Sequence, residues 1–257
     1  MIIAGIDMGL QYTKAVIFKD DKVIGRSIIS TGGADRPAQA EKAYSEALSE
    51  AGVESGGVEK VIATGRGRFD VGFAGEAYTE TVAAARAAGY YYPEATSVIS
   101  VGADETLAAV LGKERLIAEV ALNQKCAAGL GTFLTYLAGR LGLTPEQVSA
   151  ADGPDAGVMN DGCVVFSELD ALSLINNGAA PESVMATAIR AAATRAATVL
   201  ADLTAPSGDK TVLIGGLTKN AAFVKALEKS CGRKFAIPED AEYCGAVGAA
   251  LCGLKGI

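Results

Sequence analysis

The sequence predicts an α/β fold built from two similar halves that face one another across a cleft. The main observation is an internal repeat, because residues 6–24 align with residues 99–117 without a gap. Each copy reads as a strand, a glycine turn at Gly9 or Gly102 and a hairpin, which is typical of a duplicated unit. Helical and strand-like segments follow each copy. One turn from each half could therefore hold a phosphate group in the cleft; chance similarity between two hairpins is the alternative.

The first half reads as a three-stranded hairpin unit followed by a helix, a strand and a helix. Alternating apolar residues predict the strands, with a turn at residues 19–22 between the second and the third. Charged residues alternate with alanine and leucine at helical spacing before Gly52, which is typical of an amphipathic helix that stops at glycine. The predicted strands are 2–7, 13–18, 22–29 and 58–63, and the predicted helices are 37–51 and 76–88.

The second half begins after a crossing at residues 90–93, and its copy of the repeat ends near Leu122. Apolar spacing, a proline at the start of a long alanine-rich segment and a run of small residues near the end of the chain predict helices. The predicted elements are helices 133–141, 166–176, 181–203 and 245–254, a buried strand at 211–216, and a helix that residues 218–220 cap and that ends at 230. We expect a first subdomain over residues 1–94 and a second over residues 95–243, with the C-terminal helical segment 244–257 packing back on the first.

Composition and charge exclude several functional classes. The 257 residues carry a formal net charge of -7 and no basic run, which argues against a nucleic-acid partner. We find no secretion signal and no apolar run of membrane-spanning length, so we expect a cytoplasmic protein without a membrane partner. The absence of histidine excludes histidine-based acid–base catalysis and histidine metal ligands. The chemistry must therefore come from carboxylates, lysine, backbone amides or cysteine.

Glycine turns mark candidate phosphate and nucleotide sites. Asp7 closes the first strand and Gly9 follows in a tight turn, so backbone N–H groups could approach phosphate while the carboxylate serves a magnesium ion or its water. An ordinary hairpin is the alternative. A buried strand also opens onto the Gly-Gly pair at 215–216 before a helix start, where a nucleotide can lie against backbone, unless the turn serves packing alone. Arg66 and Arg68 fit a solvated loop better than a nucleotide contact.

Two of the five cysteines occur at glycine-flanked turns where apolar helical runs begin. Cys126 lies in the stretch 123–133, and Cys163 lies in the stretch 161–166. A helix start favours a thiolate, and thiolates are the ligands of iron–sulfur clusters. Because a cubane takes four of them, two chains would share one cluster; two small buried apolar side chains are the alternative. The remaining cysteines, which we interpret as packing residues, are Cys231, Cys244 and Cys252.

These segments give the chain a resemblance to a known family over nearly its whole length. It resembles the activator ATPases of 2-hydroxyacyl-CoA dehydratases and the related ATPase subunits of benzoyl-CoA reductases, within the sugar kinase, heat-shock protein and actin superfamily. The most specific motifs are Asn-Gln-Lys-Cys-Ala-Ala-Gly-Leu-Gly-Thr-Phe-Leu at 123–134 and Cys-Val-Val-Phe-Ser-Glu at 163–168. Supporting matches are residues 7–14, Thr64-Gly65 with Gly67-Arg68, and Gly215-Gly216 with Lys219-Asn220. The resemblance implies a duplicated actin/ribonuclease-H-like ATPase fold with two subdomains around a nucleotide cleft.

The resemblance further implies an ATP-dependent activator of electron transfer. Two copies of the chain, or one copy and a homologous subunit, would share one 4Fe-4S cluster through Cys126 and Cys163. Hydrolysis of ATP to ADP with Mg²⁺ would help electrons from an upstream ferredoxin or flavodoxin reach a partner dehydratase or reductase at low potential. Asp7 and Glu105 are then the candidate catalytic residues, which organise magnesium and water. The candidate nucleotide-binding residues are Gly9, Gln11, Lys14, Gly102, Ala103, Asp104, Gly215, Gly216, Lys219 and Asn220.

The chain departs from the family pattern at both phosphate turns. Leu10-Gln11 stands where a small hydroxyl residue is expected, and the second turn, usually Asp-Ile-Gly-Gly-Gln-Asp, reads Ser-Val-Gly-Ala-Asp-Glu at 100–105. A cluster-binding subunit that senses nucleotide and hydrolyses it slowly or not at all is therefore an alternative. A small-molecule kinase of the same fold is another, although we find no convincing catalytic aspartate for it in the second half and the two cysteines would then have no role.

Overall fold

Two β-sheets form the framework of the molecule. The structure is a computed structural model that describes residues 1–32, 35–113, 116–123, 130–204 and 210–254. The first sheet contains β1 (Ile2–Met8), β2 (Tyr12–Lys19), β3 (Lys22–Ser30), β4 (Lys60–Thr64) and β5 (Glu76–Ala77), in the order β3-β2-β1-β4-β5. β2 pairs antiparallel with both β1 and β3, whereas β4 runs parallel to β1 and β5.

The second sheet repeats the first four strands of this arrangement. It contains β6 (Ser97–Val101), β7 (Thr106–Leu111), β8 (Ile117–Leu122) and β9 (Thr211–Ile214), in the order β8-β7-β6-β9. β6 pairs antiparallel with β7 and parallel with β9, as β1 does with β2 and β4. A parallel bridge between Val212 and Ala236 takes the place that β5 has in the first sheet.

The repeat extends to irregular details of the backbone. Both hairpins bulge at equivalent positions, after Ile17 in the first half and after Val110 in the second. The N–H of Gly9 donates a hydrogen bond to the carbonyl three positions later at 3.1 Å, and the N–H of Gly102 does the same at 2.9 Å. These pairs are related by the offset of the sequence repeat. The predicted α/β fold with two similar halves is therefore confirmed.

Helices cover the sheets and lie between them. They are α1 (Arg36–Ala51), α2 (Glu80–Tyr91), α3 (Gly131–Leu141), α4 (Pro145–Ser149), α5 (Val164–Asn176), α6 (Pro181–Ala201), α7 (Ala221–Cys231) and α8 (Cys244–Leu254). Local caps set their ends. The side chain of Asp35 accepts a hydrogen bond from the N–H of Ala38 at the start of α1, and Gly52 ends the helix with a left-handed φ of 64°.

Two elements differ from the sequence prediction. The helix predicted from residue 76 begins later, because Glu76–Ala77 pairs with β4 and the side chain of Thr79 caps the first turn of α2. Helix α4 was not predicted, since its five residues are too few to show helical periodicity. Thr144 and Gln147 nevertheless form a capping box there. The other predicted elements agree with the structure apart from their end residues.

Helices α2 and α8 lie between the sheets and cross one another. α8 packs on the first sheet in a cluster with Ile3 and Phe18, and α2 packs on the second sheet in a cluster with Val98 and Leu107. The two helices approach so closely that a Cβ added to Gly248 would lie 1.9 Å from the backbone oxygen of Ala83. The division of the chain into subdomains at residues 94 and 95 stays a prediction.

Helix α6 is the described helix that is long and apolar enough, by length and composition, to span a membrane. Of its most apolar window, 67% is buried inside the molecule. It packs in one hydrophobic cluster with Phe133 and Leu134 of α3 and Phe223 of α7. The apolar character of α6 therefore matches its place in the core. The cytoplasmic location of the protein stays a prediction.

Replacing Gly248 with alanine should destabilise the protein strongly, because the added Cβ would force α2 and α8 apart. We expect the free energy of unfolding, measured by urea denaturation, to fall by about 3 kcal/mol or more. Gly139→Ala is the matched control, since Gly139 lies in α3 and an added Cβ would meet no described atom within 4 Å other than the neighbouring backbone of its own helix. Alanine there should stabilise by about 0.5–1 kcal/mol. Similar unfolding curves for the two variants would contradict the conclusion that the close packing of α2 on α8 stabilises the fold.

Candidate functional site

One cavity lies between the two sheets and brings the glycine turns of both halves together. Its volume is about 410 Å³. The predicted site residues that line it are Asp7, Gly9, Gln11, Lys14, Gly102, Ala103, Asp104, Glu105, Gly215, Gly216 and Lys219. Asn220 is not one of the described lining residues, because its side chain caps α7 by accepting a hydrogen bond from the N–H of Phe223 at 2.9 Å.

Two further glycine turns approach the cavity with left-handed backbone. Gly65 follows β4 with a φ of 91°, and Gly215 follows β9 with a φ of 102°. A Cβ on Gly65 would lie 2.5 Å from the carbonyl oxygen of Met8, and one on Gly215 would lie 2.3 Å from that of Val101. Met8 and Val101 are equivalent in the repeat, so this pair of turns is duplicated as well. Glycine supplies both the positive φ and the close approach to the neighbouring strand.

Asp7 lies one residue before the end of β1, with its carboxylate between two glycine positions. A Cβ on Gly65 would lie 2.7 Å from Oδ1 of Asp7, and a Cβ on Gly245, in the first turn of α8, would lie 2.6 Å from Oδ2. Nζ of Lys14 is 3.3 Å from the same Oδ2. Neighbouring backbone therefore holds the carboxylate in place, and one lysine balances its charge.

Arg66 connects the first half to the second phosphate turn. Its Nε lies 2.9 Å from Oε2 of Glu105, and its Nη2 lies 3.5 Å from Oδ2 of Asp104. Arg66 is half exposed, as expected for a solvated loop, but the turn after β4 also directs its guanidinium to these two carboxylates across the cavity. Arg68 instead lies near Glu80, with 3.9 Å between Nη1 and Oε2.

Glu105 stands where its ionised form is disfavoured. Burial raises the pKa of the Glu105 carboxyl above its ordinary value, and the nearby charges of Glu80 and Asp104 raise it further. The guanidinium groups of Arg66 and Arg68 lower the same pKa without cancelling the effect of burial. A carboxylate with a raised pKa inside a cavity is suited to accepting a proton from water.

Two carboxylates that line the cavity were not predicted from the sequence. Glu80 is the first residue of α2, where an acidic side chain is an ordinary partner of the helix dipole. Glu242 precedes α8, and its Oε1 lies 2.7 Å from Nζ of Lys219. Its Oε2 is buried and has no hydrogen-bond partner within the described residues. No local pattern marks either residue, because the packing of α2 and α8 brings them to the cavity.

The structure places Cys163 at the N-cap of α5, partly exposed, whereas Cys126 lies outside the described residues. The Oδ1 atom of Asn160 accepts a hydrogen bond from the N–H of Cys163 at 2.7 Å. Asn160 is itself fixed to α5, since its N–H donates to Asp170 at 2.7 Å and its carbonyl accepts from Oγ of Ser167 at 2.7 Å. The backbone of Cys163 is thus held at the helix start.

An apolar stripe on α5 adjoins Cys163. Its residues, each at least half exposed, are Val165 (60%), Phe166 (57%), Leu169 (55%) and Leu172 (50%). A contiguous exposed apolar surface of this kind is typical of a protein–protein contact. No group of three or more cysteine, aspartate or glutamate side chains within the described ranges could hold a metal ion. Metal bound at Cys163 would therefore need ligands from beyond those residues.

The other cysteines have the surroundings of packing residues. Cys244 and Cys252 are buried, and Cys231 is partly buried. Burial raises the pKa of the Cys252 thiol to about 11 and raises the pKa of Cys231 and Cys244 as well. These thiols are therefore kept in their neutral form.

Comparison with known proteins supports the resemblance. Residues 4–253 match the model of the BadF/BadG/BcrA/BcrD ATPase family. One of the benzoyl-CoA reductase subunits of Thauera aromatica is 30% identical, with 98% of this chain and 93% of that protein covered. The (R)-2-hydroxyglutaryl-CoA dehydratase activating ATPase of Acidaminococcus fermentans is 29% identical, with 98% and 96% covered. The crystal structure of the Acidaminococcus fermentans (R)-2-hydroxyglutaryl-CoA dehydratase component A has a TM-score of 0.88 at 25% identity, over 98% of this chain and 96% of that chain. The predicted fold and the predicted family are both confirmed.

Glu105→Gln should raise the melting temperature of the protein measured without nucleotide at neutral pH. The raised pKa of Glu105 means that folding disfavours its ionised form, so the neutral amide removes a penalty. We expect an increase of about 1–3 °C at pH 7. The difference should shrink as the pH falls through the folded-state pKa and vanish below about 4.3, the ordinary glutamate value, where the wild-type carboxyl is protonated in both states.

Thermal melts between pH 4 and pH 8 provide the measurement, as the pH range spans the glutamate titration. Glu119→Gln is the control, because hydrogen bonds from Thr204 lower the pKa of Glu119 and folding favours its ionised form. That variant should show no increase in melting temperature at neutral pH. A lower melting temperature for Glu105→Gln than for the wild type at pH 7 would contradict the assigned environment.

Proposed function

The chain belongs to the BadF/BadG/BcrA/BcrD ATPase family, and from this membership we propose that it is an ATP-dependent activator of electron transfer. It would carry a 4Fe-4S cluster that bridges two protomers and pass low-potential electrons to a dehydratase or reductase acting on a CoA thioester. The observation that carries the proposal is the cavity in which the phosphate turns of both halves meet beside Asp7 and Glu105. Membership of an ATPase family makes the chain an enzyme, and the electron transfer is the proposed step.

The cavity supplies the groups that a magnesium-bound nucleotide needs. The carboxylates of Asp7, Asp104 and Glu105 line the cavity and would hold Mg²⁺ largely through its water shell, since this ion keeps several waters and takes one or two carboxylates directly. Lys14, now 3.3 Å from Asp7, can turn its ammonium group to a phosphate once magnesium balances that carboxylate. Glu105 lies beside the second phosphate turn in the cavity and would accept the proton of the attacking water.

The opposite wall of the cavity would hold the nucleoside of ATP or ADP. Gly215 and Gly216 present a turn without side chains, and Lys219 lies next to them with Glu242 as its ion-pair partner. The buried Oε2 of Glu242 is an acceptor for a hydroxyl or amino group of a ligand. Asn220 would act indirectly, by capping α7 and so fixing the turn that precedes it.

Cys163 has the setting that an iron–sulfur ligand needs. It stands at the start of a helix, is partly exposed, and adjoins the apolar stripe of α5. With Cys126 it would give two thiolates per chain, so a second copy or a homologous protein would complete the four that a cubane takes. Burial of the apolar stripe between protomers would keep water from the cluster. When bound, the cluster supplies one-electron transfer at a potential that hydrogen bonds and solvent exposure tune.

The partners follow from the relatives. One relative is named as part of a benzoyl-CoA reductase and another as the activating ATPase of a 2-hydroxyacyl-CoA dehydratase, so we propose a partner of one of these classes. A ferredoxin or flavodoxin would supply the electrons. With such partners, the proposed reaction would take place in the cytoplasm.

A cluster-binding nucleotide sensor with little turnover is the second candidate. Ser100 occupies the position where the family carries an aspartate, and Leu10-Gln11 replaces a small hydroxyl residue. Arg66 also forms ion pairs with Asp104 and Glu105, two of the carboxylates that magnesium would use. Hydrolysis measured with reductant present separates the two candidates.

Protein purified without oxygen should contain about one 4Fe-4S cluster per two chains, and Cys126→Ser or Cys163→Ser should each abolish iron–sulfur absorption. Removing either thiolate leaves the shared site with two ligands instead of four. Iron analysis and electron paramagnetic resonance of the reduced protein give the readout. Cys231→Ser is the control, because Cys231 lies at the end of α7 and should leave the iron content unchanged. Iron-free wild-type protein from strictly anaerobic preparation would contradict the proposal.

Asp7→Asn should lower the rate of ATP hydrolysis by about 100-fold or more, since it removes the charge that organises magnesium and the attacking water. Steady-state phosphate release, with reductant present, is the measurement. Asp70→Asn serves as the control, because Asp70 forms an exposed ion pair with Arg36 and does not line the described cavity. Nucleotide binding without hydrolysis by the wild type would favour the sensor instead.

A further inference from the structure

Apart from Glu80, whose partner is Arg68, the charged side chains that line the cavity are paired with one another. Among the described lining residues, five are carboxylates (Asp7, Glu80, Asp104, Glu105 and Glu242) and three are cationic (Lys14, Arg66 and Lys219). Lys14 pairs with Asp7, next to it in the first sheet, and Lys219 pairs with Glu242 in the second half. Arg66 differs from both lysines, because its partners belong to the opposite half.

The exposure and the anchored backbone of Arg66 fit a side chain that can exchange one ion-pair partner for another. Its side chain is 51% exposed, whereas its partners Asp104 and Glu105 are 16% and 26% exposed. The arginine is therefore the more exposed member of each pair and the one with room to turn toward another partner. It also directly follows Gly65, whose left-handed turn packs against the end of β1 and so anchors the backbone from which the arginine extends.

A divalent cation competes with Arg66 for the same oxygens. Magnesium prefers carboxylate and water oxygens in a tight octahedral shell, and the proposed function puts it against Asp104 and Glu105. Magnesium held there with a nucleoside triphosphate would balance both carboxylates and weaken their hold on the guanidinium. A phosphate group is then the anion that best matches a guanidinium, since the planar fork donates two parallel hydrogen bonds to phosphate oxygens.

We propose that Arg66 moves from Asp104 and Glu105 to the terminal phosphate of a magnesium-bound nucleoside triphosphate, and that it thereby distinguishes triphosphate from diphosphate. The inference rests on the proposed function, because it takes the cavity to be a nucleotide site. A diphosphate lacks the terminal phosphate and so offers Arg66 no new anion, and the ion pair with the carboxylates remains the direct link between the two halves. With a triphosphate, Arg66 of the first half would contact the terminal phosphate, so the two halves would be joined through the nucleotide. The nucleotide state therefore sets how the first half is joined to the second phosphate turn.

Isothermal titration calorimetry with magnesium–ADP and with magnesium and a non-hydrolysable ATP analogue tests this assignment. Arg66→Gln should weaken binding of the triphosphate analogue by about 10- to 100-fold, the range of a charge-assisted hydrogen bond, and should weaken ADP binding by less than about threefold. Arg66→Lys should lie between wild type and Arg66→Gln for the analogue, since it keeps the charge but loses the fork. The readout is the ratio of the affinity for the analogue to the affinity for ADP. A general change in the charge of the cavity would weaken both nucleotides alike and leave this ratio unchanged.

Arg26→Gln is the matched control. Arg26 also reaches from the first sheet to the second half, where it pairs with Asp240, but it does not line the described cavity. Its replacement should leave both affinities unchanged. An equal loss for ADP and analogue in Arg66→Gln, or no loss for either, would overturn the assignment of Arg66 and leave the proposed function standing. Wild-type protein that binds neither nucleotide would overturn the proposed function and the inference together.

Discussion

The close crossing of α2 and α8 is the constraint on which the rest of the structure depends. A Cβ on Gly248 would lie 1.9 Å from the backbone oxygen of Ala83, and a Cβ on Gly5 of β1 would lie 1.9 Å from that of Ala246. Backbones at such distances determine where the first turn of α8 meets β1. The position of the Asp7 carboxylate against Gly245 follows from that contact. The cavity therefore takes its geometry from the packing of small residues, which leaves its own side chains free for chemistry.

The two halves share a backbone but carry different chemistry. Strand order, bulges, glycine turns and the hydrogen bond that closes each phosphate turn are the same in both. The side chains have diverged, because Asp7 and Lys14 of the first half correspond to Ser100 and Leu107 of the second. Conversely, the acidic pair at 104–105 corresponds to Gln-Tyr at 11–12. The first half thus holds an internally neutralised carboxylate, whereas the second half depends on Arg66 of the first to balance its charge.

The carboxylates around the cavity lower the stability of the fold, and the proposed function explains why they are there. Glu105 has a raised pKa because burial and the neighbouring carboxylates oppose its ionisation. A protein selected for stability alone would not place Glu80, Asp104 and Glu105 around one cavity. A magnesium ion with its nucleotide would reverse this penalty, since the cation neutralises the carboxylates and the phosphates take up the released cationic groups. Binding would then be coupled to the ion pair that joins the two halves.

The sequence by itself determined the fold class, the repeat, the glycine turns and the residues of the two phosphate turns that line the cavity. These features are local: a glycine with positive φ, a strand that alternates and a helix start each depend on a few neighbouring residues. Only the tertiary structure decided that Arg66 pairs across the cavity and that Glu80 and Glu242 line it. Such contacts join residues far apart in the chain, and they depend on how closely α2, α8 and the sheets approach. No local pattern contains that information, because it arises from packing between elements that the sequence specifies only one at a time.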